Sequence, residues 1–192
     1  MLTMFKRLAS LVPTPAASKV TLFVSDTGIP SYKDDAGLVT PMSGQPIPAG
    51  YGTVTPYLSV RGAAQAIEFY KKALGATELF RLPGDNGTIG HAELKVGAGI
   101  VMLADEMEGH PSPQTVGGCP ISLMVYVPDV DTQYAKALAA GGVAQRPLAN
   151  QFYGDRSGSF LDPFGYTWFL ATHIEDVSQE EMDRRMKAMA QK

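Results

Sequence analysis

Cysteine occurs once in this chain, at Cys119, which excludes an intrachain disulfide and any cysteine-rich zinc centre. Set in an apolar stretch, it reads as a small core residue. Basic residues are not in excess. Sixteen Lys and Arg stand against nineteen Asp and Glu, a net charge of −3, so no basic stripe is available to neutralise phosphates and a nucleic-acid partner is excluded. No apolar run approaches the roughly 18 residues of a membrane span, so no membrane partner is expected. Lys6 and Arg7 precede Leu8–Val12 in loose imitation of a signal peptide. Pro13 and Pro15 cut that run short of the roughly 7–15 apolar residues a secretory segment needs. Residues 1–12 are read as a short amphipathic helix or a frayed tail, and the cytoplasm is the expected location.

What is present is a pattern of alternating elements. Residues 19–25 are rich in β-branched and aromatic side chains and predict a short strand. Residues 28–52 hold Pro30, Pro41, Pro46 and Pro48 among several glycines and read as an extended linker or arm, so 1–52 is taken as an N-terminal extension. Residues 53–61 predict a strand in which Pro56 favours an edge or an early position. Ala63, Ala66, Ile67, Tyr70 and Leu74 then fall at helical spacing, and Gly75 stops the helix. Strand-like runs at 76–82, 88–96 and 99–105 complete a βαβββ unit.

The pattern recurs. A strand at 120–127 precedes a helix marked by Val130, Tyr134, Ala137 and Leu138 and closed by Gly141-Gly142. Strands follow at 143–147, 156–161 and 166–172, the last two joined by Asp162-Pro163-Phe164-Gly165. The two units superimpose at an offset of 67: Val60 maps to Val127 and Gly75 to Gly142. The expected organisation is an α+β domain over 53–175, made of modules 53–106 and 119–175. A helix follows within 176–192, opened by the capping box Ser178-Gln179-Glu180-Glu181. Met182, Met186 and Met189 share one face of that helix, which predicts packing against the domain or a second subunit.

Three runs carry a resemblance: TPYLSVRGAAQAIEFYKKALGATELFRL, GHAELKVGAGIVMLADE, and FYGDRSGSFLDPFGYTWFLATHIEDVSQEEMDRR. Together they resemble the vicinal oxygen chelate superfamily, of glyoxalase/bleomycin-resistance/dioxygenase type, and within it the PhnB-like branch. The resemblance implies paired βαβββ modules whose curled sheets enclose a small-molecule cup. It does not choose a reaction, since members include isomerases, dioxygenases, fosfomycin-modifying enzymes and antibiotic-binding proteins.

Enzymatic members place His, Gln or Glu metal ligands on the first and fourth strands of each module. Carried over by position, those sites fall here on Thr55, Met102, Ser122 and Phe169. Phe cannot ligate, and none of the others is a strong donor for a divalent metal, so a metal-free cup without a cofactor is expected. His91 and Glu93 share strand parity, and two readings are open: a polar pair inside the cup capable of acid–base work, or a hydrogen-bonded pair at a sheet edge or rim. Tyr57 shares parity with Thr55, while Trp168 has the opposite parity to Phe169 and is expected beneath a helix. In the run from Tyr153 to Arg156, Arg156 either binds a ligand anion at the cup mouth, oriented by Asp155, or fixes a loop with it. His110 is expected in solvent, and His173 to bond a nearby carbonyl or carboxylate.

The leading functional expectation is binding or sequestration of an apolar or aromatic compound by a homodimer, with Tyr57, Met102 and Phe169 lining the cup, Thr55, Ser122 and His91 giving orientation, and Tyr153 and Arg156 counted with the cup residues. The rivals are a metal-dependent lyase, isomerase or dioxygenase drawing ligands from His91, Glu93 and Asp105, and a structural dimer with a vestigial cup.

Overall fold

The computed structural model describes residues 21–24, 30–33, 39–41, 47–48 and 50–190. The expected helix or tail over 1–12 lies outside them. The chain divides into two units, Met1–Ala49 and Gly50–Lys192. The first contains an antiparallel three-stranded meander of β1 (Thr21–Val24), β2 (Pro30–Lys33) and β3 (Val39–Pro41). Part of the predicted arm is therefore sheet. Tyr32 pairs with Leu22 and with Thr40, and the prolines lie at the first residue of β2 and the last of β3, where ladder bonds are most easily forgone.

The second unit carries the two expected modules. In the first, β4 (Tyr57–Val60), α1 (Ala63–Leu74), β5 (Thr77–Pro83), β6 (Ile89–Val96) and β7 (Gly99–Asp105) build a sheet of order β4-β7-β6-β5. In the second, β8 (Ser122–Tyr126), α3 (Val130–Ala139), β9 (Val143–Asn150), β10 (Asp155–Leu161) and β11 (Thr167–His173) build the same order, β8-β11-β10-β9. A short helix, α2 (Pro113–Val116), lies between them, and α4 (Gln179–Met189) follows. The first strand of module one is shorter than the predicted 53–61. Pro56 has no N–H to donate, although its carbonyl still accepts from the Met102 amide at 2.9 Å. No helix among the described residues is long and apolar enough to cross a membrane.

The offset of 67 reappears in the ladders. Tyr57 pairs in parallel with Met102, and Met124 with Phe169. It reappears in the helix starts as well. The N-cap of α1 is Gly62, in the left-handed region at φ 84°, which has no side chain to cap with. Asp105, at the end of β7, supplies the acceptor instead: Oδ1 takes the Gly62 and Ala63 amides at 2.8 Å and Oδ2 takes the Ile89 amide at 2.8 Å. The equivalent Thr172 accepts the Val130 amide at the start of α3.

The modules pack through their helices. Ala66, Ile67, Phe69 and Tyr70 of α1 share one buried cluster with Val130, Tyr134, Phe160 and Trp168 of module two. The Tyr70 and Trp168 rings stand 5.4 Å apart. Asp162 is 3% exposed and sits at this junction. Its Oδ2 accepts from Tyr70 Oη and Trp168 Nε1, and its Oδ1 from the Phe164 and Tyr166 amides of the turn. Burial pushes this carboxyl above its ordinary value, and the four donors pull it back. Tyr166 reaches the other way, its hydroxyl meeting the backbone N–H and C=O of Ser59 on β4, and so covers an edge strand.

At the C-terminus the Ser178 hydroxyl accepts the Glu181 amide at 3.3 Å, the first half of the predicted capping box. The second half is not made, because Arg184 and Arg185 take the Glu181 carboxylate. Arg185 also pairs with Glu175 and donates to the Phe152 carbonyl, tying α4 to the turn before β10. In that turn Gly154 is at φ 99°, and a Cβ there would stand 2.0 Å from the Glu175 carbonyl oxygen, so its glycine is required.

Candidate functional site

Each sheet turns one face to the helices and leaves the other open. On β4, Leu58 and Val60 are buried toward α1 while Tyr57 and Ser59 look outward. The open row of the first sheet reads, strand by strand, Tyr57, Met102, Glu93 and Phe80. His91 lies beside this row, opposite Leu82. Tyr57, Phe80 and Leu82 are 52%, 43% and 40% exposed, whereas His91 and Glu93 are buried at 9% and 6%. Two buried titratable groups thus form the floor of a face whose rim is aromatic and aliphatic.

These groups form one hydrogen-bonded chain. Tyr57 Oη lies 2.8 Å from His91 Nδ1, and His91 Nε2 lies 3.3 Å from Glu93 Oε1. The far carboxylate oxygen, Oε2, accepts from Tyr51 Oη, brought over the face by residues 50–56. Where Glu93 is ionised and the His91 ring is neutral, Nε2 donates to Glu93 and Nδ1 accepts from Tyr57. Burial first, then hydrogen bonding to Glu93 and its charge, push the Tyr51 hydroxyl up to about 12. Burial and the Glu93 charge raise Tyr57 as well, so both phenols stay protonated at neutral pH. The Tyr57 and Phe80 rings flank His91 at 5.4 and 5.5 Å.

The open face of the second sheet differs. Its equivalent row is Met124, Phe169, Ser159 and Arg146, with the Arg146 guanidinium 5.7 Å from the centre of the Phe169 ring. Beside it, Tyr126 Oη donates to Asp155 Oδ2, and His173 Nδ1 bonds Asp155 Oδ1 at 2.8 Å. Hydrogen bonds to Asp155, then to Asp176, hold the His173 imidazole above its ordinary 6.5. Met124 and Tyr126 are about half exposed.

The sequence-predicted residues are thus divided. Tyr57, Met102, His91 and Glu93 come together on the first sheet. β6 is an interior strand, so the His91–Glu93 pair does not sit at a sheet edge. Thr55 precedes β4 and stands one alternation before Tyr57, the residue that actually pairs with Met102. Ser122 pairs with Thr167 on the second sheet, two residues from the Phe169 position. Met102 stands on the open face of the first sheet, opposite Tyr57, and Phe169 on that of the second, opposite Met124. Tyr153 is in the exposed turn before β10. Arg156 is on the opposite face from Asp155, and its guanidinium forks onto Asp131 of α3 at 2.6 and 2.7 Å. The alternation of β10 separates Arg156 from Asp155, and Asp131 takes the pairing expected for Asp155. Trp168 is buried beneath the helices as its parity predicts, and His173 bonds carboxylates.

At the four positions that the resemblance implies for metal ligands, Thr55, Met102, Ser122 and Phe169 have donor chemistry that does not fit a divalent metal. Asp105 offers nothing more, because both its oxygens receive backbone amides. Among the described residues no three His, Cys, Asp or Glu side chains cluster as a metal site would require. Sequence reasoning missed three residues of the first face, Tyr51, Phe80 and Leu82. Tyr51 lies in the stretch read as a linker, with no local signal. Phe80 is turned to this face by a register shift between Glu78 and Phe80, which breaks simple alternation in β5.

With this geometry in place, three comparisons bear on it. The sequence pattern of the Glyoxalase/Bleomycin resistance protein/Dioxygenase superfamily matches residues 52–170. An uncharacterised protein of Mycobacterium bovis is 39% identical over 140 residues, covering 70% of this chain and 92% of that protein. Among solved structures, TioX from Micromonospora sp. ML1 is 27% identical with a TM-score of 0.52, covering 66% of this chain and all of the other. A Pseudomonas aeruginosa protein is 28% identical with a TM-score of 0.53, covering 64% and 98%.

Proposed function

This chain belongs to the Glyoxalase/Bleomycin resistance protein/Dioxygenase superfamily, and from that premise we propose that it binds or sequesters a small apolar or aromatic molecule, without a metal, on the open face of its first sheet. The observation that carries the reading is the pairing of exposed Tyr57, Phe80 and Leu82 with the buried His91–Glu93 pair beneath them. Apolar walls around a few fixed polar groups are the usual make-up of a small-molecule site. The non-ligating Thr55, Met102, Ser122 and Phe169 support binding that needs no metal. The open face of the second sheet, with Met124, Tyr126 and Phe169, is the surface proposed for a second copy of the chain, and the dimer is proposed to work in the cytoplasm.

Calorimetric titration of chelator-treated protein with a panel of small aromatic compounds tests this. Binding is expected to survive chelation and to weaken in Phe80→Ala, whose side chain is exposed enough for the fold to tolerate its loss. A strict requirement for added divalent metal overturns the reading. An enzymatic alternative is favoured by one feature, the placement of Tyr57 at the exposed end of a His91–Glu93 pair, the arrangement of a general acid–base group. Recovery of the bound compound unchanged after long incubation decides for binding, and its conversion decides for catalysis.

A further inference from the structure

With the His91 ring neutral, the hydrogens of the Tyr57–His91–Glu93–Tyr51 chain all run inward. Glu93 accepts from Tyr51 Oη and from His91 Nε2, and the bare His91 Nδ1 accepts from Tyr57 Oη. No donor of this chain is left to point out of the face. What it offers a ligand is acceptor lone pairs, on Tyr57 Oη and on the carboxylate, together with the open ring faces of Tyr57 and Phe80.

The charge points the same way. Glu93 is 6% exposed, and its ion-pairing contact among the described residues is His91, which offsets the carboxylate only when protonated. Its neighbours across the row, Met102 and Phe80, carry no charge, and Tyr57 beyond Met102 is neutral. Lys95 shares the face two residues along β6, exposed and not bonded to Glu93. A carboxylate removed from water without a fixed cation is costly, and a mobile cation offsets that cost. Exposed aromatic rings beside it add attraction for an organic cation and none for an anion.

We infer that the molecule bound on this face is an organic cation, a protonated aromatic amine whose ammonium group sits at the Glu93–Tyr57 end and whose ring lies against Phe80. This rests on the binding reading above and names its ligand class. An anion finds no donor in the Tyr57–His91–Glu93–Tyr51 chain, only the exposed Lys95 beside it. A neutral aromatic compound finds the walls but leaves the carboxylate uncompensated.

The experiment compares benzylammonium, benzyl alcohol and benzoate at neutral pH, by calorimetry and by chemical-shift changes in the Tyr57 and Phe80 rings. Benzylammonium is expected to bind about tenfold more tightly than benzyl alcohol, with benzoate weakest. Glu93→Gln, which keeps the shape and removes the charge, is expected to bring the amine and the alcohol level. Phe80→Ala is expected to weaken both together. Should Glu93→Gln fail to fold, salt decides on the unaltered protein: rising ionic strength is expected to weaken the amine and leave the alcohol unchanged. Equal affinity for amine and alcohol, or tightest binding of benzoate, with Phe80 still required, overturns the cation inference and leaves the binding reading intact. If none of the three probes perturbs Tyr57 or Phe80, both fall.

Discussion

Replacing Asp162 by alanine is expected to destabilise the Gly50–Lys192 unit by about 4 kcal/mol. The carboxylate receives four hydrogen bonds between 2.8 and 2.9 Å: Tyr70 and Trp168 on one oxygen, the Phe164 and Tyr166 amides on the other. Tyr70 and Trp168 are each 1% exposed, so neither donor finds water once its acceptor is gone. A buried donor left unmade costs about 1–3 kcal/mol, which puts these two alone near 3–4, and the loosened turn adds to it. The total is a large share of the roughly 5–15 kcal/mol that stabilises a typical domain. Urea unfolding followed by the fluorescence of Trp168, the only tryptophan, reads the loss directly and is expected to show the midpoint falling by about 2 M. Tyr70→Phe alone is expected to cost about 1 kcal/mol, and in the Asp162→Ala background to recover about 1–2 kcal/mol, because it removes the hydroxyl left without an acceptor. A loss under about 1 kcal/mol for Asp162→Ala, or full additivity with Tyr70→Phe, refutes the assignment of Asp162 as the junction between modules.

Asp105→Ala strips acceptors from the Gly62, Ala63 and Ile89 amides, and is expected to cost about 2 kcal/mol in the same urea assay, whereas an exposed-site substitution such as Glu108→Ala costs almost nothing. His173 is held above 6.5 by Asp155 and Asp176, so its contribution to stability is fully present below pH 6.5 and is lost as pH rises through the folded value. NMR titration of the ring is expected to give a value above 6.5 that falls back in Asp155→Asn. Light scattering is expected to report twice the 20.5 kDa chain mass, and Tyr126→Asp, which places a charge on the open face of the second sheet, to shift the population toward monomer.

Much of the second unit was legible because both modules obey plain periodicities. The helical spacing of Ala63, Ala66, Ile67, Tyr70 and Leu74 matches the buried face of α1, and the offset of 67 survives into the parallel registers Tyr57–Met102 and Met124–Phe169. Parity also placed His91 and Glu93 on one side of β6 and Trp168 beneath the helices. Legibility ended where long-range pairing decides. Neither the capture of the Tyr70 hydroxyl by Asp162, 92 residues away, nor the capping of α1 by Asp105 leaves a local trace. Arg156 sits beside Asp155 in sequence, yet strand alternation sends the two to opposite faces and hands the guanidinium to Asp131. Tyr51 was hidden by the proline- and glycine-rich composition around it, and Phe80 by the irregular register of β5. In the first unit prolines suggested a linker, but Pro30 and Pro41 lie at strand ends and leave the ladder between them intact.

The measurement closest to the central claim is a map of resonance changes on titrating chelator-treated protein with a bound aromatic compound, reading the Tyr57, Phe80 and His91 rings and the Met102 methyl against those of Met124, Tyr126 and Phe169. The account predicts shifts concentrated on the first group, at full strength with no divalent metal present. Shifts that appear only after metal is added, or that fall on the second group and leave Phe80 and His91 unmoved, contradict it.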